Sequence, residues 1–307
     1  MAIAHDEQAR QRALDTYHIV DSLPETAYDD IARLAAMLCG APIALVSLVD
    51  RERQWFKARV GFQSSETARE HAICDHAIRQ PERLFEVDDL SQDARFANNP
   101  LVTGEGQARF YAGMPLVTPG GAAVGTVCVL DTRPRELSDA QRDALASLAR
   151  LTMNLMDRRR REREREVVDA LVPPAPAPAA TAEADTAVCV VELQQQARLA
   201  QFHGERAVER LLTELDGLIG AGLAAGDSIN RVTGSAEFVI ALHGAGIDGA
   251  LTRIESLVNQ FAARHELVLL MGHARAHSPA ESPTSVYLRA EAALSKAKDA
   301  WAARDAR

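Results

Sequence analysis

Residues 137–171 read LSDAQRDALASLARLTMNLMDRRRREREREVVDAL, and this stretch divides the chain into two halves. Ser138 followed by Gln141 is a capping-box pattern, which indicates that a helix begins here. A charged run later pairs arginines with glutamates three or four positions apart, and Pro173 and Pro174 then end the helix. Between the cap and the charged run lies an apolar stripe with steps of three or four residues: Leu145, Leu148, Leu151 and Leu155.

The predicted connecting helix spans residues 138–172 and would be about 50 Å long at 1.5 Å per residue. That length is unusual for a surface helix of one globule, so we interpret the helix as a signalling rod that pairs with its twin in a coiled-coil homodimer. The alternative is an edge helix followed by a solvated charged tail. Two heptads of leucine are short for a coiled coil, so pairing would need help from the preceding domain.

The composition favours a soluble protein with two domains. The chain has 307 residues and a formal net charge of -9, which argues against nucleic acid or an anionic membrane as a general partner. No apolar run approaches the length of a membrane span, and the N-terminus lacks the features of a signal peptide. The cysteines are scattered without a C-x-x-C pair, which argues against a zinc site and indicates a reducing, cytoplasmic location.

Residues 1–137 contain short apolar runs separated by polar turns and preceded by an amphipathic helix. This order predicts an antiparallel sheet flanked by helices, with a core at about 20–135. The segment resembles a GAF domain in five stretches: PIALVSLVD at 42–50, QWFK at 54–57, CDHAI at 74–78, FYAGMPL at 110–116 and GTVCVLD at 125–131. The resemblance implies a sensory module that holds a small ligand beside its sheet and dimerises through terminal helices. It does not identify the ligand or any cofactor.

The candidate ligand site consists of aromatic and polar residues that the predicted strands, short helix and long loop bring together. An apolar pocket needs aromatic walls and a few polar groups. Strand alternation allows at most one of Trp55 and Phe56, and one of Phe110 and Tyr111, to face the ligand. The alternative is that these aromatic residues fill the core. The predicted site residues are Trp55, Cys74, His76, Phe110, Tyr111 and Arg95.

Cys74 has two interpretations. A cysteine near His76 could be an activated thiol or an attachment point for a bilin, but Asp75 separates the two residues, whereas bilin-binding relatives usually have them adjacent. A buried, inert cysteine is the commoner outcome. Some GAF-type domains reduce free methionine sulfoxide with cysteines, so Cys74 with Cys128 suggests an alternative redox function, although the cysteine pattern does not match that family.

Residues 173–185 form a Pro/Ala-rich linker, and residues 186–307 predict a second domain in which helices are interspersed with strands. This segment resembles a GGDEF domain, which implies a nucleotidyl-cyclase-like α/β sandwich. The resemblance rests on AEAALSKAK at 290–298, on Gly204, and on a hairpin at the signature position: Gly234, Ser235, Ala236, Glu237 and Phe238.

The GGDEF resemblance also implies that catalysis is lost. Active members hold divalent ions on acidic residues at the end of the first strand and at the third signature position. Glu192 keeps one acid, but Ala236 replaces the other. Lys298 remains, and with Glu192 it forms a predicted remnant nucleotide site. Other family positions are changed as well: Gln194 in the first-strand motif, Ala200 and Glu209 where guanine is read, and Ala224 at the inhibitory site.

The sequence therefore predicts a cytoplasmic α+β signalling protein that is not an enzyme and holds no metal. A GAF sensor would bias a homodimeric helix, and a degenerate GGDEF-like domain would bind a partner protein or a nucleotide. Two alternatives stay open: a redox enzyme acting through Cys74, and a ligand-free dimerisation scaffold.

Overall fold

The computed structural model of the protein describes residues 6–171, 185–244, 246–278 and 280–305. These residues form two compact units. The first contains the described residues up to Val20 together with Pro24–Arg160, and the second contains Asp21–Leu23 together with the described residues from Arg161 onward. Both units combine helices with antiparallel sheets, so the predicted α+β class is confirmed. Apart from Asp185, the predicted Pro/Ala linker lies outside the described residues.

The first unit is built on a six-stranded sheet with the order β3-β2-β1-β6-β5-β4, in which every neighbouring pair is antiparallel. The strands are β1 (Ile43–Val49), β2 (Arg53–Val60), β3 (Glu66–Ala68), β4 (Phe85–Val87), β5 (Phe110–Val117) and β6 (Ala123–Asp131). The predicted antiparallel GAF-type sheet is therefore present.

Helices cover both faces of this sheet. Helices α1 (Glu7–Asp15) and α2 (Thr26–Cys39) pack on one face, where α2 contacts β1, β2 and β6. The short helix α3 (Ile73–Ala77) packs on the opposite face against β1, β5 and β6, and helix α4 (Pro100–Thr103) belongs to the loop beside it. A second hydrophobic core therefore forms under α3, and this core contains the candidate site.

Helix α5 spans Asp139–Leu171, where the sequence predicted 138–172. Ser138 and Gln141 form the capping box. The backbone N–H of Ser138 donates to Gln141 Oε1 at 2.9 Å, and the backbone N–H of Gln141 donates to Ser138 Oγ at 3.3 Å. The predicted leucine stripe is not one exposed seam. Leu145 and Leu148 are buried in the first unit, whereas Leu151 is 51% exposed. A dimer seam cannot use residues that a single chain already buries.

The second unit is built on a four-stranded antiparallel sheet with the order β10-β7-β9-β8. Its elements in chain order are β7 (Thr186–Leu193), α6 (Gln196–His203), α7 (Glu205–Ala221), β8 (Ser228–Arg231), β9 (Glu237–His243), α8 (Ile247–His265), β10 (Leu269–Arg275) and α9 (Pro283–Asp305). Alternation along β7 sends Cys189 and Val191 into a core with α7 and α8, and Val188 and Val190 into a core with α9.

The end of α5 belongs to the hydrophobic core of the second unit. Val167 and Leu171 are 1% and 3% exposed and pack with Val190, Val239 and Leu294. The last part of the predicted rod is therefore a structural helix of this unit and not a solvated connector. Among all the described helices, none combines the length and apolar character needed to cross a bilayer.

Candidate functional sites in the two units

The first site is a small cavity between α3 and the sheet of the first unit. Its volume is about 10 Å³. A cavity of that size has room for about one water molecule. Drug-sized ligands occupy pockets of roughly 300–1,000 Å³, so this arrangement cannot enclose a cyclic nucleotide or a tetrapyrrole. The cavity is lined by Leu45, Gln54, Phe56, Phe62, Thr67, Ile73, Cys74, Leu101, Tyr111, Cys128 and Leu130.

Only two of the six predicted site residues line this cavity. Cys74 and Tyr111 do so, because α3 places the thiol over β5 and β6. Trp55 and Phe110 alternate with the cavity residues Phe56 and Tyr111, so they lie on the opposite face of the sheet. There the Phe110 ring packs under the Arg135 guanidinium, 5.6 Å from its centroid.

His76 and Arg95 lie around an aromatic pair that does not line the cavity. The His76 ring meets Phe96 edge-on at 4.8 Å, and the Arg95 guanidinium lies 5.1 Å from both Phe85 and Phe96. Arg95 is also paired with Asp93. Burial and the nearby Arg79 lower the pKa of His76, so its ring is neutral at pH 7 and suited to this packing. The structure therefore brings Cys74 and Tyr111 together at the cavity but places Trp55, Phe110, His76 and Arg95 elsewhere.

Cys74 is the centre of a buried hydrogen-bond cluster. Its sulfur accepts from the Tyr111 hydroxyl at 3.1 Å and the Thr126 hydroxyl at 3.2 Å, and lies 3.8 Å from the Cys128 sulfur. Burial alone would raise the pKa of Cys74, but the hydrogen bonds from Cys128, Thr126 and Tyr111 lower it to about 7. The hydrogen bond with Cys74 and burial raise the pKa of Cys128 well above its usual value. One thiol is thus prepared for ionisation and its neighbour is not.

The sequence patterns did not identify Thr126, Gln54 or Thr67. Gln54 and Thr67 face each other across β2 and β3. Each has a buried side-chain oxygen, Oε1 or Oγ1, without a hydrogen-bond partner in the described part of the chain. Strand alternation along Gln54, Trp55 and Phe56 could have indicated that Gln54 shares a face of the sheet with Phe56. The closeness of Thr126 and Cys74 depends on the packing of α3, for which the sequence carries no comparable signal.

The second site surrounds Glu237 in the second unit. Its carboxylate is 1% exposed and accepts a bidentate pair from Arg163 of α5, with Nε at 2.9 Å from Oε2 and Nη2 bonded to Oε1. Arg163 Nη2 also reaches the Tyr287 hydroxyl at 2.6 Å, and that hydroxyl donates to Glu291. Although burial disfavours its charged form, Glu237 raises the pKa of the Arg163 guanidinium. The buried acid is therefore compensated by a charge and by hydrogen bonds.

The other predicted residues of this site lie at the same end of the sheet. Glu192 and Glu237 are partners in the pairing of β7 with β9. The Lys298 ammonium lies 2.7 Å from the Glu192 carboxylate. Ala236 is 5% exposed and packs in the core, while Gly234 forms the hairpin tip with a φ of 68° and Ser235 bonds back to the turn. Phe238 is fully buried.

These residues do not fit the divalent ion that the GGDEF resemblance implies. Ala236 offers no oxygen ligand. The Glu237 carboxylate is buried against Arg163, and Glu192 is neutralised by Lys298. Hard cations such as Mg²⁺ need several free oxygen ligands in a near-octahedral arrangement.

Comparison with known proteins agrees with the architecture of the first unit. The family model for the GAF domain matches residues 23–155. Residues 23–155 are a GAF domain. A stretch of 149 residues is 38% identical to a cyclic di-GMP phosphodiesterase of Pseudomonas aeruginosa, covering 48% of this chain and 25% of that protein. The chain therefore spans about a quarter of the length of this curated relative.

Solved structures similar to this chain include both GAF and GGDEF domains. The GAF domain of an Acinetobacter phosphoenolpyruvate-protein phosphotransferase is 15% identical, with a TM-score of 0.35. The match covers 50% of this chain and 96% of that one. The GGDEF domain of DgcB from Caulobacter crescentus, solved with c-di-GMP, is 20% identical, with a TM-score of 0.34 over 38% of this chain and 74% of its own. At these values neither likeness assigns a function to this chain.

Proposed function

We propose that this chain is a signal-transduction protein of cyclic di-GMP signalling, in which the GAF domain is the sensor and the second unit is a catalytically inactive GGDEF-like output domain. The observation that carries the proposal is the state of two acids, Glu192 at the end of the first strand of the second unit and Glu237 in the signature hairpin. Glu237 is buried against Arg163, and Glu192 is paired with Lys298. With Ala236 at the third signature position, the site lacks the free carboxylates that would hold metal-bound GTP.

The relationship of the GAF domain to a cyclic di-GMP phosphodiesterase supports the choice of pathway. The output of an inactive domain is binding, so its partner is a protein or a nucleotide held near Glu192 and Lys298. A cytoplasmic location, on the basis of the scattered cysteines, and an absence of nucleic-acid and membrane partners, on the basis of the net charge of -9, belong to the same proposal.

The experiment incubates the purified chain with GTP and Mg²⁺ and resolves the products by chromatography, with an active diguanylate cyclase as the positive control. We expect no cyclic di-GMP. We also expect none from Ala236→Asp, because restoring one ligand leaves Glu237 bound to Arg163. Product formation by the unmodified chain would overturn the proposal.

We also propose a homodimer, now through the exposed apolar surface of α2 and α5. Leu38 is 46% exposed, Met37 is 68% exposed and Leu151 is 51% exposed. Leu151→Glu should shift the mass measured by light scattering toward the monomer, whereas Arg150→Glu beside it should not. A monomeric unmodified chain at micromolar concentration would contradict this part.

A methionine-sulfoxide reductase is the second candidate function, since Cys74 and Cys128 are in contact. The cavity of about 10 Å³ argues against it, because an amino acid with a side chain of that length does not fit. Assay of free methionine sulfoxide reduction, with a thiol reductant present, tests this directly, and we expect no turnover.

A further inference from the structure

Two thiols of the GAF domain are held in contact at a cavity. The sulfur atoms of Cys74 on α3 and Cys128 on β6 lie 3.8 Å apart, and neither is in a disulfide. A disulfide has an S–S distance of about 2.05 Å, so the two atoms are near neighbours that bond formation would draw together. Two hydroxyl groups, from Tyr111 and Thr126, donate to the Cys74 sulfur at 3.1 and 3.2 Å, and the pKa of Cys74 is lowered whereas that of Cys128 is raised. The pair is therefore asymmetric, as a nucleophilic and a resolving thiol must be.

The same cavity presents unpaired polar atoms. Gln54 and Thr67 are among its lining residues, and their Oε1 and Oγ1 atoms are buried without a hydrogen-bond partner among the described residues. A buried polar atom without a partner is unfavourable, so two such residues at one cavity point to a small hydrogen-bonding molecule. The volume of about 10 Å³ limits that molecule to something close to water in size. The partly exposed Phe62 and Leu101 line its outer side.

We propose that this cavity admits hydrogen peroxide and that the peroxide oxidises Cys74 and Cys128 to a disulfide. Hydrogen peroxide is the oxidant closest to water in size, and it both donates and accepts hydrogen bonds. Gln54 and Thr67 supply the polar contacts, and Cys74 supplies the nucleophile. This inference names the signal of the sensor proposed above and depends on that proposal only for the downstream consequence.

The chemistry balances without a further reactant. The Cys74 thiolate attacks one peroxide oxygen, the O–O bond breaks, and the leaving hydroxide takes a proton to become water. Cys74 is then a sulfenic acid. The Cys128 sulfur attacks the Cys74 sulfur, the S–O bond breaks, and the Cys128 proton leaves with the hydroxide as a second water. Two thiols have lost two electrons, and one peroxide has become two waters.

The surroundings of Cys74 favour this order of events. The pKa of Cys74, lowered to about 7, leaves a large thiolate fraction at neutral pH. Tyr111 acts as a positioning residue, because its hydroxyl holds that thiolate. Gly113 makes room for it, since a Cβ at this position would lie 2.2 Å from the Tyr111 hydroxyl oxygen. The reaction therefore depends on Tyr111 and on the space that Gly113 leaves for its hydroxyl.

The experiment treats the full, reduced chain with hydrogen peroxide at pH 7, quenches it under denaturing conditions with an alkylating agent, and maps the cysteines by mass spectrometry. We expect a Cys74–Cys128 disulfide, while Cys39 and Cys189, which are also buried, remain free for alkylation. tert-Butyl hydroperoxide is the matched probe. Because the cavity limits access, tert-butyl hydroperoxide should oxidise Cys74 at least about tenfold more slowly than hydrogen peroxide. A tenfold difference in rate corresponds to only about 1.4 kcal/mol of steric cost.

Variants separate the two thiols. Cys128→Ser should stop at a sulfenic acid on Cys74, which dimedone traps, and Cys74→Ser should leave Cys128 reduced. Cys189→Ser is the control and should oxidise like the unmodified chain. Circular dichroism establishes that each variant is folded, and Cys128→Ala replaces Cys128→Ser if the serine variant is not.

Tyr111→Phe tests the positioning role through the pH profile of the rate. Losing a hydrogen bond to a charged group raises the thiol pKa by about one unit, which cuts the thiolate fraction by up to tenfold. At pH 7 a pKa that moves from about 7 to about 8 cuts the thiolate fraction about fivefold. The more basic thiolate is a better nucleophile, with a Brønsted coefficient of about 0.4–0.5, so the rate at pH 7 should fall about twofold and the profile should shift to higher pH. Gly113→Ala should shift it in the same direction.

Three results would overturn the inference. Cys74 and Cys128 could stay reduced under peroxide that oxidises a free cysteine peptide in the same tube. Cys39 and Cys189 could oxidise as fast as Cys74, or tert-butyl hydroperoxide could match hydrogen peroxide. None of these results bears on GTP turnover, so failure here and failure of the proposed function are distinguishable.

Discussion

The two buried polar sites of this protein differ in how completely their hydrogen bonds and charges are satisfied. In the second unit, Glu237 accepts a bidentate pair from Arg163, and the Nη2 atom of that guanidinium also contacts Tyr287 and Glu291. In the GAF domain, Cys74 accepts two hydroxyl donors but lies at a cavity where Gln54 Oε1 and Thr67 Oγ1 have no partner among the described residues.

Whether the hydrogen bonds and charges of a buried polar cluster are fully satisfied indicates whether the cluster serves structure or chemistry. A compensated ion pair is costly to break, and its donors and acceptors are already occupied, so it offers little to a ligand. A thiol cluster beside unsatisfied atoms keeps both space and reactivity. We therefore expect substitutions at Glu237 and its partners to change stability, and substitutions at Cys74 and its partners to change reactivity and pH dependence.

The chain offers one tryptophan in each unit as a reporter. Trp55 lies in the GAF domain and Trp301 lies on α9 of the second unit. Chains carrying Trp301→Phe report unfolding of the first unit, and chains carrying Trp55→Phe report unfolding of the second. The stability predictions below use urea unfolding followed by fluorescence in these two backgrounds, because one transition for the whole chain would not separate the units.

The largest expected effect is that of Arg163→Ala. Removing the guanidinium strands the Glu237 carboxylate in the core, which should lower the free energy of unfolding of the second unit by about 3–5 kcal/mol. Trp301 fluorescence measures the loss. Adding Glu237→Gln should recover part of it, because the stranded charge is then gone.

Arg165→Ala is the matched control for Arg163→Ala. Arg165 lies two positions further along the same helix and is exposed, so its loss should cost less than about 0.5 kcal/mol. If the two variants are equally mild, the ion pair of Glu237 is not a structural element of this unit.

The next effect is the pH dependence that Cys74 gives to the GAF domain. Its folded pKa of about 7 lies below the unfolded value of 9, so the unfolded state binds more protons between these values. Stability from this group is therefore present above pH 9 and lost as the pH falls through 7. Between pH 7 and 9 the unmodified domain should gain about 2 kcal/mol relative to Cys74→Ser.

Cys128 has the opposite sign, because its folded pKa is raised. Its unfolded form loses a proton first, so this group lowers stability as the pH rises above about 9. Trp55 fluorescence in reducing buffer measures both effects. A difference between the unmodified chain and Cys74→Ser that is flat from pH 7 to 9 would show that Cys74 is an ordinary core thiol.

A matched pair of tyrosine substitutions gives a smaller contrast. Tyr287→Phe removes a hydroxyl that accepts from Arg163 and donates to Glu291, so it should cost about 2 kcal/mol. Tyr111→Phe removes a donor to a thiol and should cost about 1 kcal/mol at pH 6, where Cys74 is protonated. Equal costs in the two units would remove the contrast between a charged cluster and a neutral one.

The smallest expected effect is that of Lys298→Ala. Its ion pair with Glu192 is partly solvated, with side chains 12% and 15% exposed, so the cost should be below about 1 kcal/mol. Lys296→Ala, at an exposed position on the same helix, is the control. A cost near that of Arg163→Ala would mean that Glu192 is as tightly held as Glu237.

Interactions between residues close in the chain could be predicted from the sequence. The capping box of Ser138 and Gln141 lies within four residues, so it depended on nothing beyond its own segment. Strand alternation also held in one respect, since Phe56 and Tyr111 share the cavity face while their neighbours Trp55 and Phe110 do not. The pattern could not say which member of each pair faces α3.

The candidate site was predicted less well than the fold. His76 lies on α3 and Arg95 lies on the loop between β4 and α4, but their side chains pack around Phe85 and Phe96 and not at the cavity. The leucine stripe of α5 was visible, yet Leu145 is buried while Leu151 is exposed. A periodic pattern shows that a face is apolar, but it does not show what covers that face.

The amino-acid sequence alone was enough to predict the α+β class, the GAF segment and the long helix, and it places Ala236 where the GGDEF resemblance implies an acid. These features depend on residue identity and short-range spacing. Three features became visible in the tertiary structure: Arg163 neutralises Glu237, Cys74 lies against Cys128 and Thr126, and the cavity is close to a single water in size. The residues of each pair are more than 50 positions apart in the sequence, and the distance between them is set by how helices pack on sheets.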